Sequence, residues 1–304
     1  MKARIRDFFE NQDGWIFAVA DYLHPEGIRS LLRYVPDPEG ERESRGIRYR
    51  KMDFQASYEF LRGRRPEYIR DLHVVPFEDV ARIYRPPEGL ASSEDPRVRR
   101  IAALLASSGV PWGEMGITGS MLVGLQDRGS DIDFVVYGNW WWRARDAVER
   151  AKRSGEIGDL DEETWRRIYS KRRPETCFDE FLLHEVRKGN RGMVDGTYFD
   201  LLFTRAWGQI QEHPPGRVVG RGRVVARVLD ATFSFDSPAI YLLDHRDVRE
   251  IFCYSHTYAG QALPGEVVEA EGLLEETPVG LRLVVGTTRE ARGEWIRSLT
   301  LMEG

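Results

Sequence analysis

Cysteine is nearly absent: Cys177 and Cys253 are the only two, and they lie far apart. That excludes a disulfide framework and a Cys-x-x-Cys metal knuckle, and it favours a reducing compartment. Apolar runs of the roughly 20 residues that a membrane helix requires are also missing. The N-terminal Met-Lys-Ala-Arg-Ile-Arg-Asp leads into Glu10 and Asp13 rather than an apolar core, so it does not read as a signal peptide. A soluble, cytoplasmic protein with no membrane partner is expected. A strong charge imbalance is missing too, since the formal net charge is -5. Non-specific affinity for nucleic acid comes from cationic side chains that displace counterions, so a wholesale DNA binder is excluded while a local basic patch is not. What remains is 304 residues that are 41% hydrophobic and 31% charged, a globular composition with length for two or three domains.

Turn-forming residues divide the chain. Residues 1–90 alternate β-rich stretches (Trp15–Tyr22, Leu31–Val35, Ile47–Arg50) with Pro/Gly/Glu-rich turns, and a helix is predicted over Phe54–Arg62. Arg85–Pro96 concentrates breakers and cap residues and reads as a linker. Pro96–Ser107 reads as a helix with Val98, Ile101, Leu104 and Leu105 on one stripe, closed by Gly109. Then come a short strand at Met115, a helix beginning near Met121, a buried strand over Ile132–Tyr137, three helical segments between Asn139 and Lys188, and a strand at Thr197–Phe203. From Arg217 onward, strand-like runs recur at regular spacing, the pattern of a small β-barrel or sandwich. The expected fold class is α+β, with a mixed sheet and its helices over 96–207. A β-rich N-terminal α+β domain over 1–90 and a β-barrel-like domain over 217–304 are expected to flank it.

The chemistry concentrates between Gly119 and Gly138. Gly119 permits close backbone approach at a strand end, Ser120 offers a hydroxyl and an N–H, and the helix that follows turns its free N–H groups toward a bound phosphate. Asp131 and Asp133 follow on a strand, where alternation projects both carboxylates from one face while Ile132 points to the other. Two such carboxylates repel unless a cation sits between them, and hard oxygen ligands suit Mg²⁺ or Mn²⁺ bridging a triphosphate. Two-metal chemistry calls for a third carboxylate. Asp200, inside the apolar strand Tyr198–Phe203, is the candidate; Asp195 is second, because Val-Asp-Gly reads as a turn.

Gly119-Ser120, Ser130-Asp131-Ile132-Asp133 and Asp200 together resemble the DNA polymerase β-like nucleotidyltransferase superfamily, whose signature is Gly-Ser, a short helix, Asp-hydrophobic-Asp and a later Asp. The spelling is similar to minimal prokaryotic nucleotidyltransferases, and the three-part layout to predicted nucleotidyltransferases of archaea; the likeness covers about residues 96–207. It implies transfer of a nucleoside monophosphate from a nucleoside triphosphate such as ATP to an acceptor hydroxyl, with release of pyrophosphate. Gly119, Ser120 and Ser130 would bind the nucleotide. Asp131, Asp133 and Asp200 would be catalytic and would hold two Mg²⁺ or Mn²⁺ ions. The acceptor stays open among RNA, a protein side chain and a small molecule, as does the oligomeric state. In one respect the chain departs from the minimal members, which carry an Arg soon after Gly-Ser, because Met121, Leu122 and Val123 are apolar. Cationic help must then come from elsewhere, with Arg128, Arg187 and Lys188 as candidates.

Plainer readings compete for several residues. The competing function is a non-catalytic nucleotide- or RNA-binding module on the same fold. Asp200 can serve a salt bridge to Arg205, Trp140–Trp142 can be core, and His184 on the stripe Phe181–Val186 can be a packed or capping histidine. Cys253 with His256 and His245 lacks a fourth ligand for zinc, so a structural cysteine is the reading adopted. Arg42–Arg70 interleaves arginines with Tyr49, Phe54, Tyr58 and Phe60, as surfaces for single-stranded nucleic acid do and as solvated basic faces also do.

Overall fold

The computed structural model describes residues 2–127, 129–288 and 292–304. Contacts gather the chain into two compact units, residues 1–157 with 192–210 and residues 158–191 with 211–304.

The first unit holds two sheets. Strands β1 (Phe8–Asn11), β2 (Ile16–Val19), β3 (Ile28–Pro36), β4 (Arg42–Ser44) and β5 (Ile47–Lys51), with β6 (His73–Val75) and β7 (Val80–Tyr84), form a seven-stranded sheet. Its order is β4-β5-β3-β2-β1-β7, and β6 pairs with β3 off that path. Helix α1 (Phe54–Arg62) forms where expected, its N-terminus capped by Asp53 accepting the Ala56 N–H. Leu61 of α1 joins Phe9, Phe17, Leu32 and Tyr68 in one core against this sheet. Helix α2 (Pro86–Ser92) occupies the stretch read as a linker, with Pro at its first turn and Leu90 buried.

Helix α3 (Pro96–Ser107) has the predicted bounds, because Asp95 caps it, Pro96 starts it and Gly109 at φ +91° follows it. Its Val98, Ile101, Ala102 and Leu105 are buried. Then come β8 (Met115–Ile117), the single turn α4 (Gly119–Leu122), β9 (Ile132–Tyr137), α5 (Trp140–Arg153), β10 (Arg191–Val194) and β11 (Thr197–Thr204). The second sheet runs β10-β11-β9-β8, with β11 parallel and β8 antiparallel to β9. Parallel strands covered on both faces read as near-continuous apolar runs, which is why β9 and β11 are buried almost throughout. The helix expected from about Met121 begins instead at Gly119 and lasts one turn, since Gly124 at φ +70° ends it.

The second unit contains α6 (Glu162–Arg172) and α7 (Phe178–Lys188), then β12 (Arg217–Asp230), β13 (Ala239–Asp244), β14 (Val248–Cys253), β15 (Val267–Thr277), β16 (Gly280–Val285), β17 (Trp295–Ser298) and the terminal turn α8 (Leu299–Glu303). Because β12 pairs with both β13 and β15, the order β12-β13-β14-β16-β15 closes on itself, and β17 adds to β15. The choice between barrel and sandwich thus resolves to a closed five-stranded barrel. Its one parallel pair, β14 with β16, gives it the connectivity of an OB-type Greek-key barrel. Alternation along β12 puts Val224, Ala226 and Val228 inside and Arg223, Val225, Arg227 and Leu229 outside. β17 has no counterpart in the sequence reading, being only four residues long.

Candidate functional site

The turn that follows β8 lies against the carboxylate of β9. Thr118, buried, donates its N–H to the Asp133 carbonyl (2.9 Å), which holds the end of β8 to β9. Gly119 then takes φ +68°, a left-handed conformation that favours glycine. A Cβ at Gly119 would lie 2.5 Å from Asp133 Oδ2, so only a glycine admits this approach of backbone to carboxylate. Ser120 is half-buried and its carbonyl accepts the Leu125 N–H (2.8 Å), closing the loop after α4. The first N–H groups of any helix have no partner within it, and here they belong to the Gly119–Ser120 turn.

Asp133 and Asp200 stand directly opposite each other in the parallel pairing of β9 and β11, so their side chains leave the same face of the sheet. Asp131 lies just ahead of β9, two residues before Asp133, and is exposed; Asp133 is half-buried and Asp200 is buried. Removal from water, and next the neighbouring Asp200, raises the Asp133 carboxyl to about 6; Asp131 adds to the rise, while Arg6 and Arg33 oppose it. Tyr198 Oη lies 3.4 Å from Asp200 Oδ2. Among the described residues, no three His, Cys, Asp or Glu side chains are gathered as a ready-made metal-binding group. The three aspartates nevertheless supply the hard oxygen donors and the like-charge crowding that suit a divalent cation.

Ser130 and Asp131 hang on a loop that the N-terminal sheet restrains. Arg42 of β4 pairs with Asp127 (2.7 Å) and donates to Ser130 Oγ (3.3 Å) and to the Leu125 carbonyl (3.4 Å). The Ser130 hydroxyl also exchanges hydrogen bonds with Asp127, accepting its N–H and donating to Oδ1 (both 2.9 Å). Leu122, Val123 and Leu125 pack with Phe8, Ile16, Tyr34 and Tyr49 in one apolar cluster. The apolar residues after Gly119-Ser120 are therefore the surface by which this loop docks on the first sheet. Sequence patterning gave no hint of that, because the partners lie about a hundred residues away.

The remaining candidates find other employment. Asp195, at φ +46° beside Gly196 at +74°, makes the tight turn between β10 and β11 and pairs with Arg100 (2.7 Å). In the second unit, Arg187 binds Glu266 and the Gln261 carbonyl (each 2.6 Å), and Lys188 binds Glu185 (2.5 Å) and the Thr257 carbonyl (2.7 Å). Arg128 lies outside the described residues. His184 is buried, its Nδ1 2.8 Å from the Glu180 carbonyl and its Nε2 accepting the Ser298 N–H, and burial lowers it to about 4. Cys253 is buried with its thiol on the Ser255 carbonyl. Trp141 is fully buried beneath Phe203, whereas Trp140 and Trp142 are half-buried. Among the described residues, no helix is long and apolar enough to cross a membrane.

The family model described as a nucleotidyltransferase domain matches residues 105–183, a span that includes the Gly119-Ser120 turn and both Asp131 and Asp133. An uncharacterised protein of Methanocaldococcus jannaschii is 38% identical over 337 aligned positions, covering 98% of this chain and 99% of that relative. No solved structure matches. A likeness that runs the whole length, together with a family match over the segment bearing the turn and the paired aspartates, identifies the lineage: the chain belongs to the DNA polymerase β-like nucleotidyltransferase family.

Proposed function

We propose that this protein transfers a nucleoside monophosphate from a nucleoside triphosphate to an acceptor hydroxyl and releases pyrophosphate. The observation that carries the reading is the contact of Gly119 with the Asp133 carboxylate, beside Asp200 on the neighbouring strand. A turn that would grip a polyphosphate would therefore adjoin the acidic oxygens of Asp133 and Asp200. The Gly119 and Ser120 backbone would bind phosphate, and Asp131, Asp133 and Asp200 would hold two Mg²⁺ or Mn²⁺ ions. Such ions, when bound, neutralise the phosphates and lower the pKa of the attacking hydroxyl. Asp200, buried on β11, would orient the acceptor hydroxyl and receive its proton. Catalysis would rest on positioning and charge neutralisation.

A cleft of about 400 Å³ opens beside α4, bordered by Met121, Val123 and the guanidinium-bearing Arg45, Arg82 and Arg85. We assign the acceptor to it; three arginines suit an acceptor that carries phosphate. The test is incubation of the purified protein with each of four α-labelled nucleoside triphosphates, Mg²⁺ or Mn²⁺, and total RNA or a protein extract. Label should enter an acceptor, pyrophosphate should appear, and Asp131→Asn should abolish both while the protein stays folded. Retained transfer in Asp131→Asn refutes the assignment, and triphosphate binding without turnover in any mixture favours a non-catalytic module.

A further inference from the structure

We infer that the N-terminal sheet completes the nucleotide site, with Arg6 and Arg33 forming the cationic wall against the polyphosphate. The inference rests on the nucleotidyl-transfer reading and deepens it.

Three observations select these two residues. First, α4 cannot supply a cation itself, because Leu122, Val123 and Leu125 are spent on docking the loop to Phe8, Ile16, Tyr34 and Tyr49. What that docking brings up to the site is the sheet's own arginines. Second, most arginines in this unit have settled partners: Arg29 holds Asp21 and Asp71, Arg42 holds Asp127, Arg97 holds Asp95, and Arg4 stacks on Tyr137. Arg6 and Arg33 are half-buried and form no ion pair among the described residues, and Arg6 Nε is shielded from solvent with no hydrogen-bond partner. Both lie within electrostatic reach of Asp133. A shielded, uncommitted guanidinium is costly unless it has an anion to receive.

Third, the backbone at Arg6 is held in an unfavourable shape beside Gly119. The turn Arg4–Asp7 is closed by the Asp7 N–H on the Arg4 carbonyl (3.0 Å), and Arg6, its third residue, sits at φ +79°, where glycine is the usual choice. The Thr118 hydroxyl donates to the Arg6 carbonyl (2.6 Å), so the residue next to Gly119 fixes this strained turn directly. Left-handed non-glycine residues persist where the surroundings over-determine them, and they cluster at ligand clamps.

The strain supplies a discriminating variant. Arg6→Gly deletes the guanidinium at a position whose backbone glycine adopts freely, so the fold should be retained. Binding of magnesium tripolyphosphate, and of each magnesium nucleoside triphosphate with its monophosphate, is to be measured by calorimetry on the full chain. In Arg6→Gly, tripolyphosphate and triphosphate affinity should fall at least about tenfold, the loss expected for a charged hydrogen bond. Preference for triphosphate over monophosphate should shrink, and the thermal midpoint should stay or rise. Arg6→Lys should keep most of that preference, and Arg33→Gln, at the irregularity of β3 opposite Ile16 and Phe17, should weaken the same ligands by several-fold. Unchanged tripolyphosphate affinity in both Arg6→Gly and Arg33→Gln overturns the inference and leaves nucleotidyl transfer standing. Wild-type protein that binds neither tripolyphosphate nor any nucleoside triphosphate overturns both.

Discussion

Each unit carries a group of charges at least partly withdrawn from water, and the two groups are built on opposite plans. In the second unit, Glu185 is surrounded by cations: Lys188 at 2.5 Å, Arg172 at 3.2 Å and Arg191 in direct contact. Lys188 is further satisfied by the Thr257 carbonyl. In the first unit, Asp133 faces Asp200 across paired strands with Asp131 nearby, and the arginines within reach, Arg6 and Arg33, form no ion pair among the described residues. A buried charge with its counter-charges in place serves the fold, because removing one member strands the others. Carboxylates that raise one another's cost of ionisation weaken the fold, and they suit a cation that would divide them.

The sharpest way to break this comparison is a crossed pair of substitutions. Asp133→Asn should reduce nucleotidyl transfer about a thousandfold or more, since loss of a metal-ligating carboxylate removes several kcal/mol of transition-state stabilisation. It should not lower stability at neutral pH. A carboxyl raised from 3.8 to about 6 is a net cost when ionised, so the asparagine variant should gain up to about 3 kcal/mol in urea unfolding. Glu185→Gln should do the reverse, losing about 3–5 kcal/mol because Lys188, Arg172 and Arg191 are left without their counter-charge. If Asp133→Asn unfolds the protein and Glu185→Gln does not, the two clusters have been assigned the wrong way round.

A smaller effect tests what the units share. His184 in the second unit and His73 in the first are both buried, and burial lowers each to about 4. His73 Nδ1 accepts the Leu32 N–H (2.9 Å), as His184 Nε2 accepts the Ser298 N–H (2.9 Å). An imidazole that accepts from a backbone N–H must be neutral at that nitrogen. With the folded pKa below the unfolded value near 6.5, the folded state binds fewer protons. The stabilisation is then complete above about 6.5 and is lost as pH falls toward 4, by up to about 3 kcal/mol per histidine. Urea midpoints between pH 7 and 4 should fall steeply for wild type and less steeply for His184→Gln and His73→Gln. Equal slopes would show that neither ring is held neutral.

What the sequence disclosed follows the range of the interactions involved. Helix α3 was legible to the residue because Asp95, Pro96 and Gly109 all act within one turn of it. The Gly119-Ser120 turn was legible from its spacing, whereas Asp131, expected on a strand with Asp133, lies just ahead of β9, which begins at Ile132. Asp200 was singled out as a charge interrupting an apolar strand and facing a metal, an Arg or solvent; that it stands opposite Asp133 follows from the register of β9 and β11, which the sequence did not disclose. Arg6, Arg33 and Arg42 were not legible as neighbours of these residues, because the cluster that brings them there joins Phe8 and Tyr34 to Leu122 and Leu125 across the two sheets. Met121, Leu122 and Val123 stand where the resemblance places an Arg, and of these Leu122 and Val123 pack, with Leu125, against Phe8, Ile16, Tyr34 and Tyr49 of the first sheet. Closure of the barrel was equally hidden, since it depends on β12 pairing at both edges.

The smallest expected effect decides between the two candidates for the third carboxylate. Asp195 lies only five residues before Asp200 and also carries a charge at a constrained place, but its constraint is explained locally by the tight turn and by Arg100. Both members of that pair are about half exposed, so water and salt screen it and its contribution is at most about 1 kcal/mol. Asparagine tolerates the left-handed backbone that Asp195 adopts. Asp195→Asn should therefore unfold within about 1 kcal/mol of wild type and transfer nucleotide at the wild-type rate, whereas Asp200→Asn should fold normally and transfer none. If rates fell in Asp195→Asn and held in Asp200→Asn, the third ligand would belong to the turn rather than the strand. Asp133 would then face a buried neighbour with no part in catalysis, and the contrast between a site of crowded carboxylates and a core of paired opposite charges would lose its first term.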